Sequence, residues 1–211
     1  MFSTKKNIFV LAPHTDDGEL GAGGTIARLV EAGANVYYAA LSTAEQSLPS
    51  GMPNDTLVTE LKEATKKLGI PESNLFIYHY EVRKLSYYRQ EILEELIKIK
   101  KQIPIDLVLM PCFNDIHQDH ATIAQEGIRA FKDTSIFGYE LIWNNLSFQT
   151  DIFIKLEQQH IEKKIKALSA YQSQQNRSYM TPEFITSLAR TRGVQAGCLF
   201  AEAFQAIRLI W

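Results

Sequence analysis

Asn7–Ala12 (NIFVLA) is an unbroken apolar run that stops at Pro13 and gives way at once to HTDDGELGAGG. A strand with one wet face alternates polar and apolar residues, whereas a strand covered on both faces does not. The run therefore predicts a buried parallel strand feeding a polar, glycine-rich loop. The stretch TIARLVEAGA has helical spacing and ends near Gly33, a suitable helix stop. Residues 35–41 (NVYYAAL) then read as a second strand. Strand, loop, helix and strand in that order make a βαβ unit, with parallel strands and a right-handed crossover.

The alternation continues along the chain. Helices are expected at 56–68, 87–101, around 120–132, at 157–171 and at 182–192, and strands at 75–78, 105–110 and 135–141. The apolar end LFAEAFQAIRLIW is expected to close the sheet, and 43–55 reads as loop. No repeat or flexible linker interrupts this pattern. Residues 1–211 are thus expected to form a single α/β domain, Rossmann-like, with a mostly parallel sheet flanked by helices.

Formal net charge is −2 and no long like-charge run occurs, which argues against nucleic acid or an anionic membrane surface as partner. No stretch is long enough to span a bilayer. The N-terminal apolar run is too short for a signal peptide and reads as the first strand, so a cytoplasmic protein is expected. Cys112 and Cys198 lie far apart in apolar surroundings and read as reduced thiols. A homo-oligomer is left open.

In open parallel sheets, ligands bind beyond the carboxyl ends of the strands. Two polar clusters are expected there. The first, Pro13-His14-Thr15-Asp16-Asp17, offers an imidazole and two adjacent carboxylates. Catalytic zinc takes three N or O ligands and keeps one position for water, so one carboxylate can bind metal while its neighbour takes a proton. The blander reading is an acidic helix N-cap, since a lone His-x-x-Asp is more often structural. A dinucleotide loop is disfavoured, because G-A-G-G does not fit G-x-G-x-x-G and the acids would repel a pyrophosphate. The second cluster, Asn114-Asp115-Ile116-His117-Gln118-Asp119-His120, again follows a buried strand. Alone it is weak and could be a surface helix start; together the two clusters point to a metal-dependent hydrolase.

PHTDDGELGAGG followed by NDIHQDH resembles the LmbE-like, PIG-L family of deacetylases, and LFAEAF resembles that family's usual YAEAF. The resemblance implies zinc held by His14, Asp17 and His120, and Asp16 as general base. It also implies His117 as the group that stabilises the oxyanion, with Asp119 orienting and supporting His117. The implied partner is a small-molecule N-acetyl sugar, free, nucleotide-linked or conjugated, which loses acetate. Another acylated amide or ester stays open as substrate, as does a non-catalytic binding module of the same fold. The module would be expected to lose Asp16 or a ligand, and this chain keeps them.

The chain departs from the family pattern in three places. Thr15 stands where proline is usual, and Gly18 where an acid or small residue is usual. Leu57 stands where some relatives carry an arginine, so Arg83, Arg89 or Arg192 is expected to contact the substrate instead. Trp143, Asn144 and Asn145 could stack on a sugar or merely pack. Tyr171–Gln174 and Arg190–Gly193 come near the site through the resemblance only, and Tyr87-Tyr88 reads as core or interface. His79 and His160 read as structural or exposed. Loops 43–55, 80–90 and 142–150 are expected to select the substrate.

Overall fold

In the computed structural model, which describes residues 6–210, the run Asn7–Ala12 is an inner parallel strand (β1). The other strands are β2 (Asn35–Ala40), β3 (Leu75–Ile77), β4 (Leu107–Pro111), β5 (Ser135–Tyr139), β6 (Ile152–Leu156) and β7 (Phe200–Arg208). They form one seven-stranded sheet in the order β3-β2-β1-β4-β5-β7-β6. The first five are parallel, and β7 pairs antiparallel with both β5 and β6.

Both faces of the sheet are covered, as the continuous apolar runs require. On one face Ile8, Val10 and Ala12 pack with residues of α1 (Asp17–Glu31), α2 (Thr56–Leu68), α5 (Gln158–Leu168) and α6 (Pro182–Gln195). On the other, Phe9 and Leu11 pack with residues of α3 (Arg89–Gln102) and α4 (Gln118–Ala130). The α/β class, the mostly parallel sheet and the flanking helices are as the sequence predicts, with helix 56–68 bounded as expected. The expected closing strand is β7, and Trp211 at its end lies outside the described residues.

Two elements differ from expectation. The glycine-rich stretch is not loop: Asp17–Gly24 forms the first two turns of α1. A glycine costs a helix roughly 1 kcal/mol relative to alanine, and here close packing explains its use. A Cβ at Gly21 would lie 2.3 Å from the Tyr139 ring, so only glycine lets α1 sit this close to β5. The strand β6 has no counterpart in the expectation. Its residues Ile152–Leu156 are mostly half-buried and show no alternation, because it is an edge strand running directly into α5.

A buried ion pair fastens α1 to the antiparallel edge. Glu202 on β7 accepts from the Gly24 and Thr25 amides (3.0 and 2.7 Å) and pairs with Lys164 of α5 at 2.7 Å. Lys164 also donates to Leu20 O at 2.6 Å. The glutamate of LFAEAF thus has a structural role. From β1 the chain moves outward to β2 and β3, then returns to β4 on the opposite side of β1. That reversal leaves a crevice beyond the carboxyl ends of β1 and β4.

Candidate active site

The segments leaving β1 and β4 converge at this crevice. His14, Asp16 and Asp17 come from the first, ending in the N-terminus of α1. His117 and His120 come from the second, at the N-terminus of α4. All five line one cleft of about 380 Å³, together with Thr15, Ser47, Leu57, Arg83, Trp143, Asn144, Gln174, Arg177 and Tyr179.

Three donor atoms lie close together. Asp17 Oδ2 is 3.0 Å from His14 Nδ1 and 3.2 Å from His120 Nε2, and the two imidazole nitrogens are 3.3 Å apart. A tetrahedral cation with ligands at about 2.0–2.2 Å places its ligand atoms roughly 3.3–3.6 Å apart, so this trio fits a small divalent ion. His14, His117 and His120 also offer donor atoms within 4.8 Å of one another. The tighter trio fits better, because His117 Nδ1 already accepts the Asp119 amide at 3.1 Å.

Carboxylates hold the far side of each ligand imidazole, fixing ring and tautomer as metal-binding histidines require. Asp115 Oδ2 lies 2.7 Å from His120 Nδ1. Asp119 Oδ2 lies 3.0 Å from His14 Nε2, and the same carboxylate accepts from the amides of Arg83 (2.6 Å) and Leu85 (3.1 Å). Asp119, expected to orient and support His117, has its side chain hydrogen-bonded to His14, and its charge still acts on His117 through space, favouring the protonated ring. Asp115, quoted in the motif without a role, is the matching group for His120.

The charges follow from these contacts. Burial works against protonation of His14 and His120, but Asp17 and the carboxylates behind outweigh it and lift them to about 9 and about 10 in the metal-free chain. Burial alone would raise Asp17, yet the two imidazoles hold it well below the usual carboxylate range. Asp16 is pushed up to about 6, by burial first and then by the adjacent Asp17. It occupies the N-cap position of α1, but its side chain makes no capping hydrogen bond. The acidic N-cap reading is thus met in position but not in hydrogen bonding, and the carboxylate is left facing the cleft.

His117 is itself the N-cap of α4. Because Nδ1 accepts a backbone N–H, the proton of the neutral ring sits on Nε2. Burial and the neighbouring His120 and His14 pull its pKa down, and the positive end of α4 also disfavours an imidazolium. Asp119 and Asp17 act the other way but are outweighed, so the surroundings favour the neutral ring, whose Nε2–H is then free to donate.

Beneath the first loop lies a buried network. Glu19 is approached by the hydroxyls of Tyr38 and Tyr171 (3.0 Å for Tyr171), and both phenols also reach Thr15 O. Burial outweighs these bonds and pushes the Glu19 carboxyl up to about 8. Tyr38 explains Gly18: it accepts the Gly18 amide at 3.1 Å, and a Cβ on residue 18 would lie 2.6 Å from its ring. Tyr171 supports the loop from within the core and does not face the cleft.

Of the three arginines expected to reach substrate, only Arg83 lines the cleft. Arg89 is paired with Glu126, and Arg192 with Glu140. Arg190 lies over the Phe200 ring, and residues 190–193 do not line the cleft. Trp143 stacks on Tyr179 at 3.9 Å between centroids, and Asn144 lines the cleft. Asn145 turns inward to Leu141 N and Cys112 Sγ. His160 closes a capping box with Glu157, and His79 is exposed beside Thr43 and Glu45. Tyr87 is exposed, while Tyr88 packs on Tyr80. Gln174, Arg177 and Tyr179 complete the cleft; of these only Gln174 lay in a segment the sequence reading singled out. They sit on a non-repeating segment between helices, whose position depends on tertiary packing and carries no periodic signal.

A profile of the GlcNAc-PI de-N-acetylase (PIG-L) family matches residues 9–131, which include both segments that meet at the cleft. The uncharacterized deacetylase YaiS of Escherichia coli (strain K12) is 28% identical over 176 residues, 80% of this chain and 92% of that protein. Diacetylchitobiose deacetylase of Thermococcus kodakarensis is 28% identical over 137 residues, 61% of this chain and 50% of that protein. Among solved structures, the conserved protein TT1542 from Thermus thermophilus superposes with a TM-score of 0.81 at 24% identity, over 97% of this chain and 95% of that one.

Proposed function

Because the chain belongs to the GlcNAc-PI de-N-acetylase (PIG-L) family, we propose that it removes acetyl from an N-acetylated sugar, free, nucleotide-linked or conjugated, using a zinc ion held by His14, Asp17 and His120. The enzyme class is that of N-deacetylases, as the name of the diacetylchitobiose deacetylase relative indicates. The observation that carries the assignment is the convergence of three donor atoms at 3.0–3.3 Å from two strand ends, beside an Asp16 carboxylate that caps nothing.

When bound, the ion lowers the pKa of water and polarises the acyl carbonyl. Asp16 accepts the proton of the attacking water; a raised affinity for protons suits a base that must later give one back. His117 donates its Nε2–H to the carbonyl oxygen as negative charge develops there. Asp16 then delivers its proton to the departing nitrogen, and acetate and a free amine leave. Asp115 and Asp119 orient the ligand imidazoles, and Trp143 offers an aromatic surface to the sugar ring.

The test is a panel of N-acetylated sugars incubated with zinc-loaded protein, with acetate and primary amine quantified together. Equal release of both from at least one sugar supports the assignment. Release of neither from any member, by protein shown to carry zinc, contradicts it.

A further inference from the structure

The cleft holds two cations that the proposed chemistry does not use. Arg83 and Arg177 both line it, and among the described residues neither has a carboxylate within salt-bridge distance. Outside the cleft, Arg89 and Arg129 share Glu126 and Arg192 forms a two-point pair with Glu140, while Arg28 donates to Lys155 O and Arg190 lies over the Phe200 ring.

Arg83 is also held in place at a cost. Its backbone has φ +66°, and only one other non-glycine residue among those described, Ala44, is in the left-handed region. Such a conformation is sterically disfavoured for a residue with a side chain and persists only where the surroundings impose it. Here the Asp119 carboxylate imposes it, by accepting the amides of Arg83 and Leu85 at either side of the turn. The same carboxylate holds His14. The arginine stem therefore leaves from a point fixed relative to the metal ligands, and its guanidinium donates to Ser47 Oγ at 3.0 Å within the cleft.

Among the described residues the acids lining the cleft are Asp16 and Asp17, which a divalent ion offsets, so two guanidinium charges remain. The remaining polar lining, Thr15, Ser47, Asn144 and Gln174, is neutral. Guanidinium groups recognise phosphate and carboxylate oxygens through paired, charge-assisted hydrogen bonds. We infer that the substrate is anionic: Arg83 and Arg177 form a subsite for a phosphate or carboxylate group carried by the acylamino sugar. This rests on the deacetylase reading and names the class of substrate within it.

The experiment compares kcat/KM for N-acetylglucosamine, its 1-phosphate, its 6-phosphate and the carboxylate-bearing N-acetylmuramic acid, using wild type, R83M, R83K and R177M. Wild type is expected to favour an anionic member over the neutral sugar by roughly ten- to a hundredfold, the worth of one or two charged hydrogen bonds. R83M and R177M should each move that ratio toward one through KM, and R83K should retain part of it. Preference for the phosphates or for the carboxylate identifies the anion. A wild-type ratio near one that no variant shifts overturns the subsite. Calorimetric titration with glucosamine, glucosamine 1-phosphate, glucosamine 6-phosphate and muramic acid reads the subsite without turnover, and equal affinity for all four also overturns it. Absence of acetate with every sugar contradicts the deacetylase reading instead.

Discussion

Asp119 Oδ2 lies 3.0 Å from His14 Nε2, so a carboxylate from the second motif fixes an imidazole of the first. The two motifs are thus one unit, joined behind the ligands as well as at them. Asp115 does the same for His120 within its own segment. Asp119→Asn and Asp115→Asn should each weaken metal affinity about 10- to 100-fold, the usual effect of removing such a partner. Competition with a chromogenic chelator measures this. Unchanged affinity in both variants would show that the carboxylates do not tune the ligands.

His117→Ala should leave metal content normal and lower kcat by about 10²–10³-fold with little change in KM, because its donor bond forms as charge develops. The N-cap bond to the Asp119 amide is lost as well, so melting temperature is measured on the same preparation. A lowered melting temperature with parental kcat in the folded fraction would leave His117 a purely structural cap.

The parallel core was legible because IFVLA and LVLM are short continuous apolar runs, as expected of strands covered on both faces. The site was legible because each motif directly follows such a strand. The glycine-rich start of α1 was misread as loop, since glycine disfavours helix locally and Tyr139, whose ring demands it, lies more than a hundred residues away. The resemblance implies Asp119 as the partner of His117, and nothing local marks its hydrogen bond to His14, more than a hundred residues away in sequence. Arg177 and Tyr179 were invisible for a related reason: nothing local marks them, and only the packing of the segment before α6 brings them to the cleft.

Gly18→Ala should destabilise the chain by about 1–3 kcal/mol, the cost of forcing a methyl into a filled space. The obstacle is the Tyr38 ring, 2.6 Å from the added carbon. Combining Gly18→Ala with Tyr38→Leu should therefore cost less than the two single losses added together. Denaturant unfolding of all four proteins gives the cycle, and strict additivity would mean that Tyr38 is not what excludes a side chain at residue 18.

Burial pushes the Cys112 thiol up to about 11. A thiol reacts as its thiolate, and at pH 8 only roughly one in a thousand Cys112 groups would be ionised. Thiol titration of the native protein at that pH should show one fast-reacting group, the half-buried Cys198, and a second only after denaturation. Raising the pH toward 11 should accelerate the slow group. Two groups reacting equally fast at pH 8 would contradict the buried environment of Cys112.

The proposed chemistry turns on Asp16, the carboxylate at the head of α1 that caps nothing and lines the cleft beside His14, Asp17 and His120. The most direct measurement is the acetate-release rate of zinc-loaded Asp16→Asn beside wild type, with zinc per chain determined on the same samples. An amide cannot accept the proton of the attacking water, so turnover should fall by about 10²–10⁴-fold while zinc content stays at the wild-type level. Near-parental turnover in the zinc-loaded variant would contradict the account.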